Sequence, residues 1–333
     1  MGEDNSSHKL EDLRKSFSTT LLVLILIFAG FLFLSFPLGS YAFYNGNLST
    51  SSAEPIIRDI PVFVVGLPIE LPARMTFSDL FAVLWIIHLI FFVIAINGPY
   101  SSLWQVIKKL PKGGIVRMYD NGVTSMVVTF TSVALVTSII ERLQTTVGIA
   151  SGSLPETDPI QTFTGIALAP LTEEIGFRVS TIGLIAFTML LGRYQLSYAL
   201  KAFWHPGRYL NYPSNRGNRS MYTIYAVAII SGILFGLAHI LFGAGWQVGK
   251  FTTSSIAGIM LGILYIRVGL PAAVLMHWAF NYFRSSYYYF GQVIDDVMVQ
   301  QGMEVLLVVI GAMSLGYAIL TRATTKSSTF DAG

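Results

Sequence analysis

This sequence predicts an all-α, polytopic membrane protein of about eight transmembrane helices, with a polar site enclosed in the bundle. Three observations predict it. Hydrophobic residues make up 53% of the 333 and charged residues only 12%, with a mean hydropathy of +0.62, whereas a soluble domain carries roughly twice that charge. The apolar residues are gathered in runs of about twenty, the length that crosses the hydrocarbon core as a helix. No segment between the runs is apolar enough to bury a core of its own. The lack of cysteine excludes a disulfide framework, thiolate metal ligands and a cysteine nucleophile.

The first run, residues 17–38, follows Lys9, Arg14 and Lys15 as a signal sequence would. It is too long for the apolar part of a signal peptide, and no small-residue cleavage site follows it, so it reads as a retained anchor. The remaining runs are 80–96, 121–140, 160–191, 221–242, 251–266, 270–290 and 303–320. The run 160–191 is long enough for one tilted span or two short ones, and the basic residues decide between these. Taken as one span, it puts Lys108, Lys109, Lys112 and Arg117 on the side of the N-terminal tail. Arg193, Lys201, Arg208, Arg216, Arg219, Arg267, Arg322 and Lys326 fall on that side too, and only Arg58, Arg74, Arg142 and Lys250 lie opposite. Basic loops stay in the cytoplasm, which predicts eight spans with both termini cytoplasmic. The membrane is then the cell membrane or, in a eukaryote, the endoplasmic reticulum.

The basic stretch 192–220 reads as a topology determinant beside anionic lipid, not as a nucleic-acid site. The loop 39–78, with Pro55, Pro61, Pro68 and Pro72, is expected to lie on the membrane surface, and Asn47-Leu-Ser49 within it fits a glycosylation sequon. The chain divides into an N-terminal tail with three spans (1–159), a core carrying the polar clusters (160–290), and a last span with its tail (291–333).

Glu173, Glu174 and Arg178 are the only charges in 160–191. Each costs about 3 kcal/mol in hydrocarbon on translocon scales, so three together mark a functional site. Glu174 and Arg178 are four apart and share a helical face, while Glu173 is turned about 100° from Glu174. Arg178 therefore neutralises Glu174 and leaves Glu173 as the carboxylate suited to act as a general base on water. Two further spans carry Phe235 with His239, and His277 with Asn281, each pair again four apart. Histidine and asparagine can both donate hydrogen bonds to a developing oxyanion. Gly232 and Gly236 invite a neighbouring helix close to His239. His88 stands alone and reads as a helix–helix hydrogen-bond donor. Arg284 lies on the face of His277 and Asn281, where it snorkels to the interface or binds an acidic group of a substrate.

No H-E-x-x-H, G-x-S-x-G or G-x-G-D occurs, which argues against zincin, rhomboid-like serine and presenilin-like aspartyl chemistry. A zinc ion on Glu173, His239 and His277 stays chemically open. Buried Glu, Arg and His also mark ion pathways, but no inverted repeat supports a transporter.

The ordered set E-E-x-x-x-R, F-x-x-x-H and H-x-x-x-N, each on its own apolar segment, resembles the CPBP family. That family comprises the type II CAAX prenyl endopeptidases (the Ras-converting enzyme group) and their ABI relatives. The resemblance covers about 170–281 and implies a glutamate-dependent intramembrane endopeptidase with no obligatory cofactor or metal. It would cut a protein or peptide, prenylated or not, near its C-terminus. By resemblance, Glu173 and His239 activate water, His277 and Asn281 stabilise the oxyanion, and Glu174, Arg178 and Phe235 support them. The alternative is a non-proteolytic ABI-like membrane scaffold or immunity protein.

Overall fold

The computed structural model describes residues 2–45, 56–109, 118–153, 159–210, 217–243 and 245–330. Asn47, Lys112, Arg117 and Arg216 lie outside these residues. Helix dominates the rest. The N-terminal helix α1 (Gly2–Asn45) leads to a hairpin of β1 (Ile56–Val64) and β2 (Leu67–Thr76), then α2 (Phe77–Asn97), the short α3 (Leu103–Lys108) and α4 (Gly122–Thr146). Helix α5 (Pro159–Glu174) continues through a π-helical segment, Ile175–Gly183, into α6 (Leu184–Leu191). Two short helices, α7 (Leu196–Ala199) and α8 (Pro206–Leu210), precede the long pair α9 (Gly217–Phe242) and α10 (Val248–Val268). Helix α11 (Leu270–Trp278), a second π-helical segment (Ala279–Phe283), α12 (Arg284–Val293) and α13 (Met298–Phe330) complete the chain.

Among the described residues, seven helical stretches are long and apolar enough to cross a membrane: Asp12–Asn45, Phe77–Asn97, Gly122–Thr146, Thr162–Leu191, Arg219–Phe242, Val248–Val268 and Met298–Ile319. Thr162–Leu191 is one unbroken stretch, as the distribution of basic residues required. The run expected at 270–290 is helical but does not qualify by composition, because His277, Asn281 and Arg284 make it too polar. Its apolar demand is met differently: every residue from Pro271 to Ala279 is buried in protein, so lipid does not have to solvate it. Trp278 anchors this central helix by donating its indole N–H to the Ala167 carbonyl at 2.7 Å. Outward faces are apolar, as on α2, where Val83, Ile86, Ile90 and Val93 are exposed. In water such a stripe would be a liability, whereas in lipid it is the expected surface.

Local sequence sets the helix starts. Thr76 caps α2 by accepting from the Asp79 N–H at 3.1 Å, while Asp79 accepts from the Thr76 N–H at 3.1 Å, a reciprocal capping box. Asn121 caps α4 through the Val123 N–H at 2.9 Å and also donates to the Ala95 and Ile96 carbonyls, tying the start of α4 to the end of α2.

The segment 39–78, expected as a loop, carries a small β element in an otherwise helical chain. Part of it extends α1 to Asn45, and residues 56–76 form the antiparallel hairpin. Pro61, Pro68 and Pro72 offer no N–H, which suits strands with an open edge. Val65 and Gly66 at the tip both have positive φ (50° and 79°), as a tight two-residue hairpin turn requires. The hairpin leans on the first π-helical segment: the Phe63 ring lies 5.6 Å from Phe177, and the Val65 N–H donates to Ser180 Oγ at 2.8 Å.

Helices α9 and α10 approach closely where the glycines stand. A Cβ on Gly232 would lie 2.4 Å from the Ile259 nitrogen, and one on Gly236 would lie 2.0 Å from Ser255 Oγ and 2.7 Å from the Phe251 carbonyl oxygen. Because backbone cannot step aside cheaply, Gly236→Ala is expected to destabilise the protein by about 1–3 kcal/mol. A lowered thermal midpoint in detergent is the readout, and an unchanged midpoint would show that the helix pair tolerates separation.

Candidate active site

The site is assembled from α5 and its π-helical continuation, α9, α10 and α11. Glu174 and Arg178 pair as the helical face predicts, with Arg178 Nε 3.2 Å from Glu174 Oε2 and both side chains fully buried. The pairing survives the onset of the π-helical segment at Ile175. Arg178 also donates from Nη2 to the Gly258 carbonyl at 3.2 Å, and its guanidinium lies 4.6 Å over the Phe235 ring. Phe235 thus faces Arg178, His239 (4.6 Å between ring centres) and His277 (5.7 Å) together. Phe177 meets it edge-on at 5.2 Å, and Phe63 of the hairpin completes this aromatic cluster. Gly176 is where the hairpin presses in, since a Cβ there would sit 2.1 Å from Phe63 Cβ.

His277 bridges the two glutamates. Its Nδ1 lies 2.8 Å from Glu174 Oε1 and its Nε2 lies 3.5 Å from Glu173 Oε2. Both ring nitrogens are therefore directed at carboxylates. Glu174 holds two partners, Arg178 and His277. Among the described residues, Glu173 has only the longer approach to His277, and its Oε2 makes no hydrogen bond. The unequal partnering of the adjacent carboxylates follows from their different faces.

His239 forms a 2.9 Å hydrogen bond from Nδ1 to the Phe235 carbonyl. A carbonyl only accepts, so Nδ1 carries the proton and Nε2 is left as an acceptor. No hydrogen bond joins His239 to Glu173 among the described residues. Ser231 ties α9 to the first π-helical segment. Ser231 Oγ donates to the Phe177 carbonyl, and Thr181 Oγ1 bonds Ser231 Oγ at 3.4 Å.

A cavity of about 660 Å³ is lined by Phe235, His239, His277 and Asn281. The Asn281 side chain makes no hydrogen bond among the described residues, so its amide is free toward this space. Asn281 lies in the second π-helical segment. Both π-helical segments flank the polar cluster, where the wider turn re-aims side chains that a regular helix would place elsewhere. Sequence periodicity carries no sign of either. Arg284 stands at the cavity's outer rim, paired at 3.5 Å with Glu304.

His88 departs from expectation. It is fully buried, yet neither ring nitrogen has a hydrogen-bond partner. Phe33, Phe36, Phe92 and Trp278 surround it, with Phe36 at 4.2 Å. It packs as an aromatic ring where a helix–helix donor was expected, because the neighbouring helices present rings and no accepting group.

Among the described residues, no three His, Asp or Glu side chains gather as metal ligands. His277 spends its nitrogens on the carboxylates, and His239 turns Nδ1 to its own helix.

Neither a search of curated proteins nor a search of solved structures finds a match to the chain. Residues 155–283 match the family model "Type II CAAX prenyl endopeptidase Rce1-like". That interval contains Glu173, Glu174, Arg178, Phe235, His239, His277 and Asn281, so the part of the chain that carries the polar cluster is the part similar to the Rce1-like family.

Proposed function

We propose that the protein is a glutamate-dependent intramembrane endopeptidase that hydrolyses a peptide bond near the C-terminus of a protein substrate, with water as nucleophile. The observation that carries this reading is the asymmetry of the two glutamates beside a cavity holding a free asparagine amide and an accepting histidine nitrogen. A purely structural ion-pair lock needs only Glu174 and Arg178.

Glu173 takes a proton from a water molecule whose second proton points to His239 Nε2. The water oxygen attacks the scissile carbonyl carbon, and the carbonyl electron pair moves onto its oxygen. Asn281 Nδ2 donates to that oxyanion. Collapse of the tetrahedral intermediate breaks the C–N bond, and the proton held by Glu173 passes to the leaving nitrogen. The products are a new carboxylic acid and a free amine, which takes the acid's proton to leave a carboxylate and an ammonium group. His277 tethers Glu173 to Glu174, which Arg178 fixes in turn, so the base is held in place by a chain of buried charges.

A direct test is mass spectrometry of a farnesylated C-terminal peptide, and of its unprenylated counterpart, incubated with the purified chain in lipid nanodiscs. Release of a short C-terminal fragment supports the reading. No cleavage of either peptide, or of any exposed membrane-protein tail, would leave the scaffold alternative.

Asn281→Ala is expected to reduce kcat by about a hundred- to a thousandfold with little change in KM, because the oxyanion exists only near the transition state. Steady-state kinetics decide the point. A rise in KM alone would make Asn281 a substrate-binding group.

A further inference from the structure

Away from the polar cluster, a second cavity of about 380 Å³ opens where α2 and α10 end, α4 and α11 begin and α8 lies. That size falls within the range of small-ligand pockets, about 300–1,000 Å³. Val93, Ile94, Val268, Pro271 and Ala272 form an apolar wall, and Trp204, His205 and Arg208 supply polar groups. The connections at this membrane face also carry Lys108, Arg193, Lys201, Arg219 and Arg267. Asp120 lines a neighbouring cavity together with Arg267. Among the described residues, no carboxylate lines this one.

Three of its side chains have hydrogen-bonding capacity to spare. Arg208 is exposed, and among the described residues its guanidinium makes one long bond, from Nη1 to the Pro99 carbonyl at 3.5 Å. His205 is buried and donates from Nε2 to the Arg267 carbonyl at 3.0 Å, because a carbonyl only accepts. Its Nδ1 is therefore left as an acceptor. The Trp204 ring stands edge-on to Phe91 at 5.9 Å, and its indole N–H has no partner among the described residues.

We propose that this cavity binds an anionic phospholipid whose headgroup carries free hydroxyl groups, of the phosphatidylglycerol class. Basic pockets between membrane helices take anionic headgroups. The phosphodiester has one negative charge and two unesterified oxygens, which a planar guanidinium meets in two parallel hydrogen bonds. A headgroup hydroxyl donates to His205 Nδ1, a contact that a choline headgroup cannot make. Trp204 has the amphipathic ring that settles at headgroup level. An acyl chain continues along Val93 and Ile94, which are exposed on the outer side of α2. A soluble phosphate would meet Arg208 equally well but would gain nothing from that apolar wall, which favours a lipid. The bound lipid joins the ends of α2 and α10 to the start of α11, the helix that carries His277. The site stands whether or not the chain is an endopeptidase.

The test is native mass spectrometry of the purified chain in detergent, titrated with dioleoyl-phosphatidylglycerol or dioleoyl-phosphatidylcholine. Phosphatidylglycerol is expected to bind about fivefold to fiftyfold more tightly, and to raise the thermal midpoint where phosphatidylcholine does not. Arg208→Gln should bring the two lipids to near-equal affinity, and Arg208→Lys should keep an intermediate preference. Arg193→Gln, at the same face but outside the cavity, should keep the wild-type preference. Equal affinity for the two lipids in the wild type, or a preference that survives in Arg208→Gln, overturns the site. A preference that falls as far in Arg193→Gln as in Arg208→Gln would reveal diffuse charge attraction and overturn it as well. Displacement of the lipid by an equal concentration of glycerol 1-phosphate would make the ligand a soluble phosphate and contradict the proposal. Phosphatidylethanol has the same charge without hydroxyls, so binding as tight as that of phosphatidylglycerol would refute the contact to His205.

Discussion

Glu173→Gln is expected to lower peptide turnover by about 10²–10⁴-fold, the range that a positioned general base contributes. The amide keeps the shape of the carboxyl group and can still face His277 Nε2, now 3.5 Å from Glu173 Oε2. Circular dichroism and the thermal midpoint should therefore stay close to wild type, separating loss of chemistry from loss of fold. Near-normal turnover in this variant would remove Glu173 from the role of base. The neighbouring carboxylate could not take its place without breaking its contacts to Arg178 and His277.

The largest effect on stability is expected one residue along. Glu174→Gln leaves Arg178 fully buried with its ion-pair partner neutralised, and breaking a buried pair from one side costs about 3–5 kcal/mol. It also weakens the 2.8 Å contact to His277, so turnover should fall, though less completely than in Glu173→Gln. The double variant Glu174→Gln/Arg178→Met removes the stranded charge and should recover part of the stability, because residues in contact do not add. Equilibrium unfolding in mixed micelles measures both. A cost below about 1 kcal/mol for Glu174→Gln would mean that water reaches Arg178 and that the pair is not a buried lock.

Much of this was legible in the sequence, for identifiable reasons. Hydropathy over twenty residues is a local signal, so the helical runs emerged near their observed places. The Glu174–Arg178 pair depends only on a four-residue helical spacing and was readable for the same reason. Gly232 and Gly236 announced close packing because few other roles fit glycine in a membrane helix.

What escaped depends on contacts between distant residues. His277 meets Glu174 across 103 positions, and nothing in H-x-x-x-N says that the ring will turn to carboxylates. The hairpin was hidden because its alternation is interrupted by three prolines, which read as a loop until Phe63 is seen against Phe177. The two π-helical segments leave no periodic trace, although they bracket the polar cluster. His88 was misread because an isolated polar residue in an apolar span suggests a missing partner. Four aromatic rings surround it instead, Phe33 and Phe36 from α1, Trp278 from α11 and Phe92 from its own helix.

In the proposed reaction, water attacks the peptide carbonyl directly, and Glu173 moves the proton. Single turnover in ¹⁸O-labelled water, with enzyme in excess over a C-terminal peptide, tests this most directly. It predicts a cleaved peptide whose new carboxylate carries one labelled oxygen, with Glu173 unlabelled when the enzyme is digested and analysed by mass spectrometry. Label in the Glu173 carboxyl and none in the product would make Glu173 a nucleophile and contradict the account, as would the absence of any cleaved peptide.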